Sequence, residues 1–168
     1  MGRVQQNFIN GVPGSVSRSV DDIIISIRNA SDTDIAFGTP VFVTNSGAVP
    51  LDPATPQEFS DFLGFAVRVA DKTPDTYPDI QNPQQFSQAG VWKAGDLMEV
   101  LVRGSIVVQL ATAALPGNKI YLRKSDGKLT PNPGTSGTTI HLENVRARGT
   151  RDTLNGATEV VVTERNAM

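Results

Sequence analysis

Apolar residues fall along this chain in short runs bounded by turn-forming residues, and the regular runs repeat every two positions. Residues 22–28 are a run of isoleucines broken by Ser26. β-Branched side chains pack well on a pleated surface, so this run predicts the first strand. Residues 29–34 form a polar turn, and residues 35–44, with Gly38 and Pro40 inside, fit two short strands around a sharp reversal. A second turn follows at Asn45-Ser-Gly47. Residues 51–61, which hold Pro53 and Pro56, predict a loop or one weak helical turn begun by Thr55. Residues 62–69 read as a strand in which Gly64 admits a bulge or a close approach.

Residues 71–90 are polar, carry Pro74, Pro78 and Pro83, and show no sustained period. A loop beyond about 15 residues is commonly functional. The next stretch is the most regular: Val91-Trp92, a turn at Lys93-Ala-Gly-Asp96, then two strands over residues 97–102 and 106–110 separated by Arg103-Gly104. Residues 111–118 begin like a helix but meet Pro116-Gly117 after one turn. Short strands over 120–123 and 128–130 flank Ser125-Asp-Gly127, and a loop spans 131–138. Strands over 140–147 and 158–164 are joined across 149–156, with Val160 and Val162 on one face and Val161 and Thr163 on the other.

The first 19 residues differ from the rest. They are polar and hold Gly2, Gly11, Pro13 and Gly14, with apolar anchors only at Val4, Phe8, Ile9, Val12 and Val16. That is too little apolar surface to offset backbone ordering at about 1–2 kcal/mol per residue. The expectation is an extended N-terminal arm over residues 1–19 and a single β-rich domain over 20–168, an all-β fold with a compact barrel or sandwich-like body of eight to ten short strands.

At 168 residues and 17.9 kDa the chain has room for one good core. A formal net charge of −2 gives no overall attraction to a phosphate backbone, so nucleic acid is not an expected partner. No apolar run approaches the roughly 20 residues that cross a bilayer, and the polar start lacks the features of a cleaved signal, so no membrane partner is expected either.

Candidate chemistry is sparse. The absence of cysteine excludes disulfides, thiolate metal sites and cysteine nucleophiles. His141 is the single histidine and sits in a predicted strand, where a structural or surface role is expected. Asp21 with Asp22, Asp32 with Asp34 and Asp75 with Asp79 lack calcium-loop spacing, and turn capping accounts for them. Asp71, Asp75 and Asp79 are the weaker candidates for gathering a cation in the long loop. Gly11-Val-Pro-Gly14 lacks the lysine of a phosphate-binding loop. No enzyme activity, metal or cofactor is therefore expected.

The basic clusters Arg146, Arg148, Arg151 and Arg123, Lys124, Lys128 read as solvated surface. Phe62 and Phe65 read as core. Tyr77, Phe86 and Trp92, in or beside the long loop, are candidate interface anchors, as are Val4, Phe8, Ile9 and Val12 of the arm. Arg18 at the arm's root is suited to pair with a partner carboxylate.

In organisation the chain resembles the decoration, or structural cement, proteins on the heads of tailed bacteriophages. The resemblance lies in the order of Gly11-Val-Pro-Gly-Ser-Val-Ser-Arg18, Phe37-Gly-Thr-Pro-Val41 with Asn45-Ser-Gly47, and Phe62-Leu-Gly-Phe-Ala66. It continues through Trp92-Lys-Ala-Gly-Asp96, Glu99-Val-Leu-Val-Arg-Gly104 and Pro116-Gly-Asn-Lys-Ile-Tyr121. It implies a homotrimer made in the host cytoplasm and seated on the outer surface of the virion head. There it would clamp adjacent major capsid protein subunits, with its arm reaching over neighbours. The competing reading is a β-rich receptor- or glycan-binding module of a phage tail or fibre, in which residues 71–90 recognise the ligand and Tyr77 and Trp92 stack on sugar.

Overall fold

A computed structural model describes residues 11–69, 90–150 and 156–166, with the backbone alone for 18–20. Eleven strands occur among these residues: β1 (Val16–Arg28), β2 (Ile35–Ala36), β3 (Pro40–Thr44), β4 (Gly47–Pro50), β5 (Phe62–Ala66), β6 (Val91–Trp92), β7 (Leu97–Gln109), β8 (Lys119–Arg123), β9 (Leu129–Thr130), β10 (Thr139–Ala147) and β11 (Ala157–Val162). Nine build one antiparallel sheet in the order β4-β3-β5-β7-β11-β10-β8-β9, with β1 added on β7, while β2 and β6 pair separately. The expected all-β body is therefore present, as a strongly curled, sandwich-like sheet.

Strand β7 organises the curl. β1 runs along one of its edges from Leu97 to Ile106, so the other edge must be shared. β5 takes Val100 and Leu101, and β11 takes residues 104–109. The sheet diverges at this point and encloses two apolar clusters. Inside the curl lie Phe42, Phe62, Phe65, Leu101, Ile106, Leu122, Leu142 and Val160. On the opposite face of β3, β5 and early β7 lie Ile35, Phe37, Val41, Leu63, Trp92, Met98 and Val100. β5 is buried at all five positions because both of its faces are covered, which is why it reads as a continuous apolar run. Each fully buried Phe or Leu contributes about 1.5–3 kcal/mol.

Three expectations are corrected. The strands expected over 97–102 and 106–110 are one strand, β7. Gly104, at φ +122°, does not end it but leaves room for Asp22, whose Oδ1 would lie 2.0 Å from any added Cβ. The chain bulges and continues. The first strand begins at Val16 rather than Asp22, so the expected arm boundary at Ser19 falls inside β1, where Val16 pairs with Ile106 and Arg18 with Ser105. The weak helical turn lies at Phe59–Asp61, not at Thr55, because Asp61 Oδ2 accepts from Glu58 N and closes it there. β4 is an additional strand, pairing Val49 with Phe42.

Candidate functional site

Of the expected interface residues, Val4, Phe8, Ile9, Tyr77 and Phe86 lie outside the described residues, as do Asp71, Asp75, Asp79 and Arg151. The described body shows where the segments carrying them attach, and the two attachments are adjacent.

The first attachment is a dock for residues 11–15. Gly14 N donates to Val107 O of β7 at 2.8 Å, Gly14 O accepts from Arg68 N at 2.8 Å, and Val107 N donates to Ser15 O at 2.9 Å. Pro13 and Gly14 are buried and Val12 is half-buried. Gly14, at φ +84°, lies against Gly38, at φ +77°. A Cβ on Gly14 would come within 2.6 Å of Phe37 Cβ, and one on Gly38 within 2.9 Å of Gly14 N. Only glycine supplies both the left-handed backbone and the missing side chain.

The second attachment closes the segment 70–89. Trp92 Nε1, just after it, donates to Val67 O, just before it, at 3.0 Å. The indole meets the Phe37 ring edge-on at 6.1 Å, and Trp92 is 4% exposed. In the isolated chain this candidate anchor is thus part of the core and presents no ring for stacking on a sugar. Asn29 braces the same corner, its Nδ2 lying within hydrogen-bond distance of the carbonyls of Thr33, Trp92 and Lys93. Phe37 joins the two attachments, because its Cβ bounds Gly14 while its ring packs on Trp92.

Beside this corner runs β1, which among the described residues pairs along its length only with β7. It exposes Ile23 and Ile24 at 40% and 42%, and Leu97 of β7 is exposed at 67%. A long strand with exposed isoleucines and an edge unpaired among the described residues is a natural pairing surface. Its bulge seats Asp22, whose Oδ1 accepts from Ser105 N at 3.4 Å.

The outer face of β8 and β10 is different in character. Their register sets Lys119 opposite Arg146 and Tyr121 opposite His141. The Tyr121 and His141 rings stack at 4.7 Å. Burial lowers the His141 pKa from its ordinary 6.5, Lys119 and Arg146 lower it further, and Glu143 opposes them. Arg123 and Arg146, from basic clusters separate in sequence, thus share one outer face with Lys119. The two-residue period over 119–123 and 139–141 puts Lys119, Tyr121, Arg123 and His141 outward, but the opposition of Lys119 to Arg146 depends on a register shift between Leu142 and Arg146. Among the described residues no group of three or more His, Asp or Glu side chains is arranged to hold a metal ion. A cleft of about 340 Å³ lined by Arg28, Asn29, Ser31, Asp32, Ser46 and Gly95 contains no aromatic ring.

The sequence profile of a family described as "Structural cement protein (E217 gp24/Pam3 gp6)" matches residues 2–165. No curated protein matches the chain. Among solved structures, a chain in the capsid of Myoviridae phage XM1 superposes with a TM-score of 0.72 at 16% identity, covering 97% of this chain and 96% of that one. The head fibre gp8.5 N base of bacteriophage phi29 gives a TM-score of 0.41 at 11% identity, covering 87% of this chain and 99% of that one.

Proposed function

The chain belongs to the phage structural cement protein family, and from that premise we propose that it decorates the phage head, binding the mature lattice of the major capsid protein from outside and stabilising it. The observation that carries this reading is the family match over nearly the whole chain, residues 2–165. The geometry fits it. The docked Gly14 and the Trp92–Val67 bond fix, side by side, the points at which residues 1–10 and 70–89 join the body. In this reading residues 1–10 and 70–89, joined to the body at neighbouring points, each engage a lattice subunit, and the second contact forms at a high effective concentration. Stabilisation follows by mass action, since a ligand that binds only the expanded lattice shifts the equilibrium towards it.

In this reading the protein acts as a homotrimer, a closed cyclic assembly that leaves no sticky ends, and the edge of β1 that is unpaired among the described residues supports a contact between copies. The test mixes purified protein with expanded heads lacking it. Saturable decoration and a higher temperature of head disruption are expected. Bare heads at micromolar protein would overturn the proposal, and native mass measurement of the free protein tests the trimer.

A further inference from the structure

Lys119 and Arg146 are directly opposed across β8 and β10. Like charges so placed destabilise a sheet, and among the described residues neither side chain forms an ion pair. Arg146 is nevertheless held in place. Its Nη1 donates to the carbonyls of Glu143 and Val145 at 3.0 and 2.9 Å, which leaves the donors on Nε and Nη2 without a partner among the described residues. A guanidinium fixed by its own backbone, with the rest of its fork free, is pre-organised for a carboxylate.

Two residues along, about 7 Å away, the stacked rings of Tyr121 and His141 form a flat, partly apolar floor. One step further Arg123 is already neutralised by Asp126. Within β8 and β10 the cations without an ion pair among the described residues are therefore Lys119 and Arg146.

We propose that this outer face of β8 and β10 binds an acidic segment of a partner polypeptide, with one of its carboxylates seated between Lys119 and Arg146 and its chain lying over the Tyr121–His141 stack. A polypeptide fits better than nucleic acid, because Glu143 and Asp126 on the same strands and hairpin, and the net charge of −2, would repel a densely charged backbone. It fits better than a small inorganic anion, which would leave the aromatic floor unused. The inference deepens the head-binding reading and rests on it only for the partner being a lattice subunit.

His141 reports on the site. Lys119 and Tyr121 face it from β8 and Glu143 and Arg146 lie along β10, while β9 brings Thr130 opposite Tyr121 and β11 brings Val161 opposite Arg146. A bound carboxylate offsets the two cations and makes His141 easier to protonate, so binding strengthens as pH falls.

The experiment titrates the full chain with hexaglutamate at fixed ionic strength and follows the C2 proton of His141, the only histidine, by NMR. We expect a saturable shift and a raised His141 titration midpoint, with affinity falling roughly tenfold or more in Lys119→Ala and Arg146→Ala but unchanged in Lys124→Ala. No shift, or one equal in the alanine variants, overturns the proposal. So does sulfate moving the resonance as far as hexaglutamate, or an oligothymidylate binding more tightly. Head decoration that persists without hexaglutamate binding overturns this site and leaves the head-binding reading standing. Hexaglutamate binding to a protein that leaves heads bare supports the site and overturns that reading.

Discussion

Gly14 and Gly38 face each other with no side chain between them, and their closeness lets the N-terminal segment hydrogen-bond to β7 and to Arg68 at once. Both have positive φ, and a Cβ on either would press on backbone, which cannot swing aside as a flexible side-chain end can. Gly14→Ala is expected to destabilise the fold by about 1–3 kcal/mol, read as a lower urea midpoint. Gly117→Ala serves as a comparison, since it shares a positive φ but has nothing within 4 Å of the added Cβ, and should cost less.

Trp92 does two separable things: its ring fills the space beside Phe37, and its N–H satisfies Val67 O. Trp92→Phe retains an aromatic ring there but removes the donor, leaving a buried carbonyl unpaired. A loss of about 1–3 kcal/mol is expected. Because Trp92 is the only tryptophan, unfolding of this variant must be followed by far-ultraviolet circular dichroism rather than indole fluorescence. An unchanged urea midpoint would show that the bond to Val67 does not hold the corner.

Much of the body was legible because burial here follows the two-residue period. In β8, β10 and β11, buried and outward positions alternate along most of each strand, and the sequence shows the same alternation. Phe62 and Phe65 are buried as their sequence context implied. What could not be read was set by distant partners. Ser15, Ser17 and Ser19 look like linker residues, yet they begin or adjoin a strand because β7 continues past Gly104 and offers them an edge. Gly104 looks like a strand end, and only Asp22, far away in sequence, explains why it bends instead. The opposition of Lys119 to Arg146 was hidden for the same reason, since a bulge resets the register.

His141 makes stability depend on pH in a predictable direction. Its folded pKa is lowered from 6.5, first by burial and then by Lys119 and Arg146, so the unfolded chain takes up the proton more readily. The contribution is complete above 6.5 and is lost as pH falls through the lower folded value. Urea midpoints measured between about pH 5 and 8 should decline on the acid side, and His141→Gln should flatten that limb. Asp52, whose pKa is lowered by hydrogen bonds from Thr55 and Ala54, acts in a separate window below 3.8 and leaves a second acid decline in both proteins. Equal slopes for wild type and His141→Gln near pH 6 would place the titration elsewhere.

Two truncations separate the docked root of the N-terminal segment from the part beyond it. A protein beginning at Gly11 keeps the hydrogen bonds of Gly14 and Ser15 and the pairing of Val16 with Ile106. A protein beginning at Ser19 loses all of them and uncovers Val107, against which Gly11 packs. The shorter deletion is therefore expected to leave the urea midpoint close to that of the full chain, while the longer one lowers it. Head binding should respond differently. If Val4, Phe8 and Ile9 insert into lattice pockets, both truncations lose occupancy on expanded heads, and Phe8→Ala in the full chain loses part of it. The Gly11 truncation is the decisive protein, because with the expected unchanged urea midpoint any deficit in head binding belongs to the contacts of the missing residues. Equal affinity of this truncation and the full chain for expanded heads would take residues 1–10 out of the binding surface, and would leave residues 70–89, the edge of β1 and the outer face of β8 and β10 to carry it.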